Sequence, residues 1–246
     1  MAEAKAGKRD FTAAQLAVLR KEKREVVLVS SGAIALAKEG VHVVISGRTA
    51  ETNRKAESEL KAAGSAEAVL LDVGNQTAVR RVADDILGRH GKIDILVNSA
   101  GTNLGKRHLK TMSLDGWDEV VRINLSGLFY CCYAVLPSMR SRKDGLIINI
   151  SSWAGRYVSQ LTGPAYNATK RAVIALSETI NCEECVNGIR ATSILPAEVA
   201  TPIMLKRPVV PSREQQAKML QSEDLGAAIR FVASLPARAC VNELII

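Results

Sequence analysis

Aromatic residues are scarce in this chain: they make up 4% of its 246 residues. Proteins that bind single-stranded nucleic acids stack the bases on aromatic side chains, so a net charge of +8 is only a weak indication of such a partner. Residues 1–24 hold seven Lys and Arg and three acidic residues, which gives +4, half of the net charge. We therefore expect a basic N-terminal arm over residues 1–25 and no nucleic-acid partner.

Cysteines are few, and their number is odd. Cys131 and Cys132 are adjacent in an apolar run, whereas Cys182 and Cys185 form a lone C-x-x-C pair on a predicted helix. A structural zinc site takes four ligands, and neither a second pair nor a nearby histidine completes one here. We interpret the cysteines as reduced thiols of a cytoplasmic protein and expect no metal site.

Long hydrophobic runs are missing as well. A membrane-spanning helix needs roughly 18 or more apolar residues, and no apolar run in the chain reaches that length. No signal-peptide pattern opens the sequence. These absences predict a protein without a membrane partner.

From residue 26 onwards, short β-rich runs alternate with helical patterns. The predicted strands are 26–30, 41–46, 66–71, 93–98, 146–151, 189–195 and 242–246. The predicted helices are 51–63, 76–90, 114–139 (with a break near Gly127 and an N-cap at Ser113), 165–185 and 222–233. Apolar strands that alternate with helices are typical of a parallel sheet covered on both faces. The pattern therefore predicts an α/β fold, a Rossmann-type doubly wound parallel sheet of about seven strands flanked by helices, in one domain over residues 26–246.

Tyr166 and Lys170 are four residues apart on a predicted helix and therefore share one face. A phenol loses its proton near pH 10 in isolation, and a nearby ammonium group favours the phenolate and lowers that pKa. Such a pair can exchange a proton with an alcohol or carbonyl oxygen near neutral pH. Alone, the spacing is a weak signal, because a surface Tyr and Lys on an amphipathic helix produce it often.

Three further motifs precede this pair in the chain. Asn98-Ser99-Ala100-Gly101 follows the fourth predicted strand, the segment 121–125 reads Val-Arg-Ile-Asn-Leu, and 147–152 reads Ile-Ile-Asn-Ile-Ser-Ser. Together with Tyr-x-x-x-Lys at 166–170, these motifs resemble those of the short-chain dehydrogenase/reductase family in their order. The resemblance implies an oxidoreductase that transfers a hydride between a nicotinamide cofactor and a carbonyl or secondary alcohol substrate.

The resemblance also implies roles for individual residues. Tyr166 is expected to be the general acid or base, and Lys170 to lower the pKa of Tyr166 and hold the nicotinamide ribose. Ser152, in preference to Ser151, is expected to hydrogen-bond the substrate oxygen, because the family uses the second serine of this pair. Asn124 is expected to hold a water that relays protons to Lys170.

The end of the second predicted strand bears on the choice of cofactor. An NAD enzyme of this fold carries an acid there for the ribose 2′-hydroxyl, whereas this chain reads Ser-Gly-Arg-Thr at 46–49. Because Arg48 can bind a 2′-phosphate that a carboxylate would repel, NADP(H) is favoured over NAD(H). The resemblance adds contacts of Asp72 and Val73 with the adenine and of Thr201 with the nicotinamide carboxamide. The whole expected cofactor-binding set is Gly32, Arg48, Asp72, Val73, Asn98, Ala100, Gly101, Tyr166, Lys170, Val199 and Thr201.

The first strand–helix junction departs from the family. The family carries several glycines there, which let the backbone approach the pyrophosphate, whereas this chain keeps Gly32 alone. Ten residues, 31–40, separate the first two predicted strands, and a parallel crossover generally needs a dozen or more. The connection therefore closes only if the first strand is short or the helix is unwound at one end.

Three explanations of this departure stay open. The phosphate site is incomplete, the basic arm supplies a substitute element, or this sequence lacks a segment that the natural protein has. We favour the third, since Asn124, Ser152, Tyr166 and Lys170 are all present. The first leads to the alternative function: a catalytically impaired or non-enzymatic binding or scaffold protein.

The remaining expectations concern the substrate and assembly. Trp153, Tyr157, Leu161 and the segment 202–221 are expected to line the substrate pocket, and the segment to form a lid. Lys206, Arg207 and Arg213 are interpreted as a solvated face of that lid in preference to a site for an anionic substrate. By resemblance, the protein is a homotetramer or a homodimer.

Overall fold

The structure, a computed structural model, describes residues 25–28 and 33–246. The prediction for Gly32 lies outside the described residues. So does the predicted basic arm, apart from Glu25, which begins the first strand.

Seven strands form one parallel sheet in the order β3-β2-β1-β4-β5-β6-β7. The strands are β1 (Glu25–Leu28), β2 (His42–Gly47), β3 (Ala66–Leu70), β4 (Ile95–Asn98), β5 (Gly145–Ile150), β6 (Ile189–Leu195) and β7 (Glu243–Ile245). The chain runs outward from β1 to β3 and then returns to pair β4 with β1 on its other side. The predicted doubly wound fold is confirmed, and its switch point between β1 and β4 is where ligands bind in such sheets.

Helices cover both faces of the sheet. They are α1 (Ala33–Ala37), α2 (Ala50–Lys61), α3 (Gln76–His90), α4 (Leu114–Val121), α5 (Gly127–Arg142), α6 (Trp153–Arg156), α7 (Pro164–Glu184), α8 (Arg213–Ala217) and α9 (Ser222–Ser234). One buried apolar cluster joins the sheet to α1, α2 and α9, for example through Leu36, Leu60 and Ile229. A second joins the opposite face to α3, α5 and α7, and includes Ile86 and Val173.

Helices α4 and α5 are continuous through a π-helical turn, Arg122–Ser126. In place of the predicted break near Gly127 the helix thus has a π-helical turn just before that residue, and Ser113 caps the helix by accepting a hydrogen bond from the Gly116 amide at 3.1 Å. The whole stretch Leu114–Arg142 is long and apolar enough to cross a membrane by length and composition. Several of its apolar side chains, such as Val135 and Met139, are buried in the second cluster.

The connection between β1 and β2 contains a short helix. β1 is described up to Leu28, and β2 begins at His42. Helix α1 has five residues and therefore rises about 7.5 Å. Residues 29–32 are not described, so the condition that the sequence sets for closure stays a prediction.

The ion pair between Arg140 on α5 and Glu184 at the end of α7 gives a prediction for stability. Arg140 Nε donates to Glu184 Oε2 at 2.9 Å, and Nη2 donates to Oε1. The glutamate side chain is 6% exposed, and the hydrogen bond from Arg140 is the main cause that lowers its pKa. We expect Glu184→Gln to lower the free energy of unfolding by about 1–3 kcal/mol at pH 7.

This stabilisation depends on pH, because a lowered folded pKa contributes stability only while the carboxylate is charged. It is present above the unfolded pKa of about 4.3 and is lost as the pH falls through the folded pKa. Urea unfolding at pH 7 and in acid measures the difference, with Glu183→Gln, an exposed neighbour, as control. Equal effects of the two substitutions would contradict the prediction.

Candidate active site

A cavity of about 730 Å³ opens at the carboxyl edge of the sheet. Ser99 and Gly101 after β4, Ser152 after β5, and the segment 196–204 after β6 contribute to its wall. Helix α7 contributes Tyr166 and Lys170. The cavity thus lies where a doubly wound sheet binds its ligands.

Lys170 is 4% exposed, and its Nζ donates to the Ile150 carbonyl at the end of β5 at 2.8 Å. The same atom lies 5.6 Å from the centroid of the Tyr166 ring, as expected for residues one helical turn apart. Burial disfavours the charged amine and lowers the pKa of Lys170 to about 8. The ammonium and neutral forms are therefore both accessible near neutral pH.

The pKa of Tyr166 is raised, and burial is the largest cause. A hydrogen-bonding interaction with Ser152 and the charges of Arg107 and Arg207 act in the opposite direction but do not outweigh burial. The expected lowering by Lys170 is therefore not observed, because the lysine is itself desolvated and the cations that act on the phenol are the two arginines. A tyrosine with a raised pKa keeps its proton at neutral pH, which suits a proton donor.

The two serines after β5 have different partners. The Ser151 hydroxyl donates to the Lys170 carbonyl at 2.7 Å and so fastens α7 to the strand end. The Ser152 hydroxyl accepts a hydrogen bond from the Ala154 amide at 3.1 Å, as the N-cap of α6, and also interacts with Tyr166. Of the pair, Ser152 is the one whose hydroxyl is directed to the phenol.

Asn124 lies in the π-helical turn and is fully buried. Its Oδ1 accepts from the Thr102 amide at 2.7 Å, and its Nδ2 donates to the Thr102 carbonyl at 3.0 Å and to Thr169 Oγ1 at 3.4 Å. These bonds join the loop after β4 to α7. Its role in holding a water stays a prediction, and its side-chain donors are already used.

The side chain of Asn98 belongs to a buried polar chain. Its Nδ2 donates to Asn149 Oδ1 at 2.9 Å, and Asn149 Nδ2 donates to Ser177 Oγ at 2.9 Å. Ser193 Oγ donates to the same Ser177 oxygen at 2.8 Å. The chain connects β4, β5, α7 and β6, so any contact of Asn98 with a cofactor would have to come from its backbone.

The two residues that end the Asn98–Gly101 motif differ in position. Ala100 packs against the second apolar cluster, whereas Gly101 lies at the cavity. A Cβ on Gly101 would stand 3.6 Å from Lys170 Nζ and 3.7 Å from Asn124 Oδ1. Glycine keeps the space beside Lys170 open.

The residues predicted to hold the adenosine half of the cofactor lie at the ends of β2 and β3. Arg48 is exposed, and its charge helps to lower the pKa of Asp72, which desolvation alone would raise. Asp72 accepts from the Gly74 amide at 3.0 Å and from Arg122 Nη1 at 3.1 Å. Val73 is 6% exposed and belongs to the second apolar cluster, so its side chain packs inside the protein.

The segment after β6 forms one wall of the cavity. Val199 and Thr201 both line it, and Thr201 begins the 3₁₀ helix Pro202–Lys206. Of the residues expected at the substrate, Trp153 and Leu161 line the cavity. Tyr157 does not line the cavity. Its ring contacts the ring of Trp153 in a tilted arrangement, with 4.8 Å between the ring centroids.

Two arginines at this cavity differ from what the sequence predicts. Arg107 had no sequence signal, since it lies among Lys106, His108 and Lys110 in an irregular segment that reads as a charged loop. The structure buries it to 3% exposure and directs it to the cavity. Arg207 was interpreted as part of a solvated face, but its side chain is 14% exposed and also lines the cavity.

Away from the cavity, His42, Glu67 and His90 bring ligand-type atoms within 4.8 Å of one another. Glu67 already accepts hydrogen bonds from Arg89 Nη1 at 2.6 and 2.7 Å and interacts with His90 Nε2 at 3.0 Å. The guanidinium takes the place that a cation would need. We therefore attribute this cluster to the packing of α3 on β2 and β3.

Comparisons with known proteins agree with this geometry. The model of the short chain dehydrogenase family matches residues 28–208. An uncharacterized oxidoreductase of Staphylococcus haemolyticus is 32% identical over 210 residues, which is 85% of this chain and 87% of the relative.

Solved structures of dehydrogenases are similar to this chain in fold. A serine dehydrogenase in its closed form, complexed with NADP⁺, superposes with a TM-score of 0.81 at 29% identity over 90% of this chain and 94% of its own. A gluconate 5-dehydrogenase from Burkholderia cenocepacia, in complex with NADP and tartrate, superposes with a TM-score of 0.82 at 27% identity over 94% and 96% of the two chains.

Proposed function

Because the chain belongs to the short-chain dehydrogenase family, we propose that it is an NADP(H)-dependent oxidoreductase that interconverts a carbonyl compound and a secondary alcohol. The observation that carries this proposal is the group formed by Tyr166, Ser152 and Lys170 around one cavity. Carbonyl reduction develops negative charge on the carbonyl oxygen, and the hydroxyl groups of Tyr166 and Ser152 can donate hydrogen bonds to it beside Lys170.

The residues of the site fit a nicotinamide cofactor. Gly101 leaves space beside Lys170, where Lys170 would hold the nicotinamide ribose. Val199 and Thr201 line the same cavity and would border the nicotinamide ring. The remainder of the cofactor would be held by Arg48, Asp72 and the backbone at residues 98–100.

The preference for NADP(H) rests on Arg48, which is exposed beyond the end of β2. No acidic residue stands at this strand end, and a guanidinium binds a phosphate through two hydrogen bonds. Two of the structural neighbours hold NADP, which supports the same preference.

In the proposed mechanism the protein supplies the proton. When bound, the cofactor supplies the hydride. Ser152 donates a hydrogen bond to the carbonyl oxygen of the substrate, and Tyr166, protonated at neutral pH because of its raised pKa, donates its proton to the same oxygen. Lys170 then stabilises the phenolate that remains. We propose reduction as the direction that this protonation state favours.

The experiment that tests the proposal is a titration with NADPH and NADH followed by cofactor fluorescence, together with calorimetry. The proposal expects saturable binding, with NADPH bound more tightly. An absence of heat with either cofactor at millimolar concentration would favour the alternative, a non-enzymatic binding or scaffold protein with this fold.

Arg48→Glu is expected to weaken NADPH binding by about tenfold or more and to change NADH binding much less, because the new carboxylate repels the 2′-phosphate. Arg54→Glu, the same charge change at an exposed position on α2, serves as control. Equal losses of both cofactors in Arg48→Glu, or the same shift in the control, would refute the role of Arg48.

We further propose a cytoplasmic homo-oligomer, a homotetramer or homodimer, with its catalytic domain over residues 26–246. Phe129 and Tyr133 support an oligomer, since they expose an aromatic surface on α5 at 45% and 66%. The five cysteines are all free, and Cys182, Cys185 and Cys240 are exposed, which fits a reducing compartment.

A further inference from the structure

A buried positive charge stands in the cavity beside the proposed acid. Arg107 is 3% exposed, and its Nε donates to the Leu104 carbonyl and its Nη2 to the Lys206 carbonyl. Backbone carbonyls satisfy donors but do not neutralise a charge. Among the described residues, the charge that acts on Arg107 while Tyr166 keeps its proton is that of Arg207, another cation, and no carboxylate acts on it.

Arg207 adds a second guanidinium at the same wall. Its Nη2 lies 2.8 Å from Oε1 of Glu198, whose side chain is 49% exposed. The one acid at this wall, half-solvated Glu198, thus pairs with Arg207 alone, and both arginines act electrostatically on the Tyr166 hydroxyl. The cavity carries a net positive charge next to the group that would transfer the proton.

The guanidinium of Arg107 is also held in position. Gly163 has φ = 77°, and a Cβ there would lie 2.1 Å from the Arg107 carbonyl oxygen. The start of α7 therefore packs directly on the backbone of Arg107. Its bond to Lys206 joins residues 99 positions apart in the chain, so the orientation is set before any ligand arrives.

A buried charge without a counter-charge is costly, and a ligand that brings the opposite charge removes this cost. We propose that Arg107, assisted by Arg207, binds the carboxylate of the substrate, so that the protein acts on oxo acids and the corresponding hydroxy acids. This inference rests on the proposed function. A guanidinium pairs with a carboxylate in a planar, two-point geometry, which would orient the neighbouring carbonyl oxygen toward Tyr166 and Ser152.

The test compares each free acid with its own methyl ester. We would assay 2-hydroxybutyrate, 3-hydroxybutyrate and 4-hydroxypentanoate, and their methyl esters, with NADP⁺ in the wild type, Arg107→Gln and Arg107→Lys. For the best acid, wild-type kcat/KM should exceed that for its ester by about tenfold or more. Arg107→Gln should lower kcat/KM for the acid by about 100-fold, mainly through KM, because a charge pair in a buried site is lost. The loss with the ester should be at least about tenfold smaller, because the ester has no charge to pair with Arg107 and loses only the effect of that charge on Tyr166.

The controls separate this role from a structural one. Lys106→Gln removes a charge at the adjacent exposed position outside the cavity and should leave the ratio of acid to ester unchanged. Arg107→Lys should recover part of the activity with the acid. If Arg107 only supports the loop, Arg107→Gln will reduce acid and ester equally; that result, or a wild type without preference for the acid, overturns the proposal.

A binding measurement keeps this inference distinct from the proposed function. If no acid or ester is turned over and NADPH does not bind, the proposed function fails. The proposed carboxylate site is built from side chains of the protein and needs no cofactor. Titration of the cofactor-free protein with 3-hydroxybutyrate therefore still tests whether the site exists. Heat in the wild type that is lost in Arg107→Gln supports the site, and no heat in the wild type overturns it.

Discussion

Tyr166→Phe is expected to lower kcat by about 10²–10⁴-fold, the range of general acid catalysis. The substitution removes one oxygen and leaves the ring beside Lys170, so the affinity for NADPH and the unfolding free energy should change little. Ser152 keeps its hydroxyl and can still polarise the substrate carbonyl, but no group remains to give the proton. Steady-state kinetics with NADPH and a carbonyl substrate, together with cofactor titration, measures the two quantities separately.

Tyr157→Phe is the matched control for this experiment. Tyr157 is 49% exposed and stacks on Trp153 outside the cavity lining, so the loss of its hydroxyl should leave kcat within about twofold. Full activity in Tyr166→Phe would remove Tyr166 from the proposed mechanism. A loss of NADPH binding in that variant would assign the residue to binding in place of proton transfer.

Lys170→Met is expected to change activity and stability in opposite directions. Activity should fall by about 100-fold or more, because the phenolate of Tyr166 loses its neighbouring cation. Stability should rise at pH 7. The pKa of Lys170 is lowered by burial to about 8, and 1.36 kcal/mol per pKa unit makes the buried ammonium cost roughly 3 kcal/mol relative to the unfolded chain.

The sign of the pH dependence follows from the number of bound protons. Between the folded pKa of about 8 and the unfolded pKa near 10.4, the unfolded lysine binds more protons than the folded one. The wild type therefore gains stability as the pH rises through this window. Its unfolding free energy should approach or overtake that of Lys170→Met at pH 10, where the native lysine is neutral and still hydrogen-bonds Ile150.

Denaturant unfolding of both proteins at pH 7 and pH 10 tests this prediction. Lys55→Met, which replaces an exposed lysine on α2, controls for the added methionine. Its unfolding free energy should change between pH 7 and pH 10 as that of the wild type does. If the difference between wild type and Lys170→Met is the same at both pH values, the burial of Lys170 has no energetic consequence and the argument fails.

Local patterns were enough to predict most of the fold. The bounds of α3, Gln76–His90, agree with the prediction at both ends, because its apolar periodicity and its caps, Asn75 and Gly91, are local to the segment and the residues next to it. The shared face of Tyr166 and Lys170 likewise depends only on helical geometry.

Properties of the site that depend on distant contacts could not be predicted. The pKa of Tyr166 was expected to fall, but burial raises it and outweighs the opposing charges of Arg107 and Arg207, which are remote in the chain. Asp72 was expected to face a cofactor, yet it also pairs with Arg122, fifty positions away. Arg107 itself becomes recognisable only when the chain brings Lys206 to it.

The buried polar chain that runs through Asn98, Asn149, Ser177 and Ser193 has a consequence for how this protein can change. It fastens three neighbouring strands to the helix that bears the tyrosine and the lysine, without using any atom that lines the cavity. The reacting groups thus keep their relative positions by means of bonds that no substrate touches. Substitutions in the cavity wall, at residues such as Leu161 or Met204, are therefore expected to alter which molecule is accepted while the groups of the proposed proton transfer keep their positions.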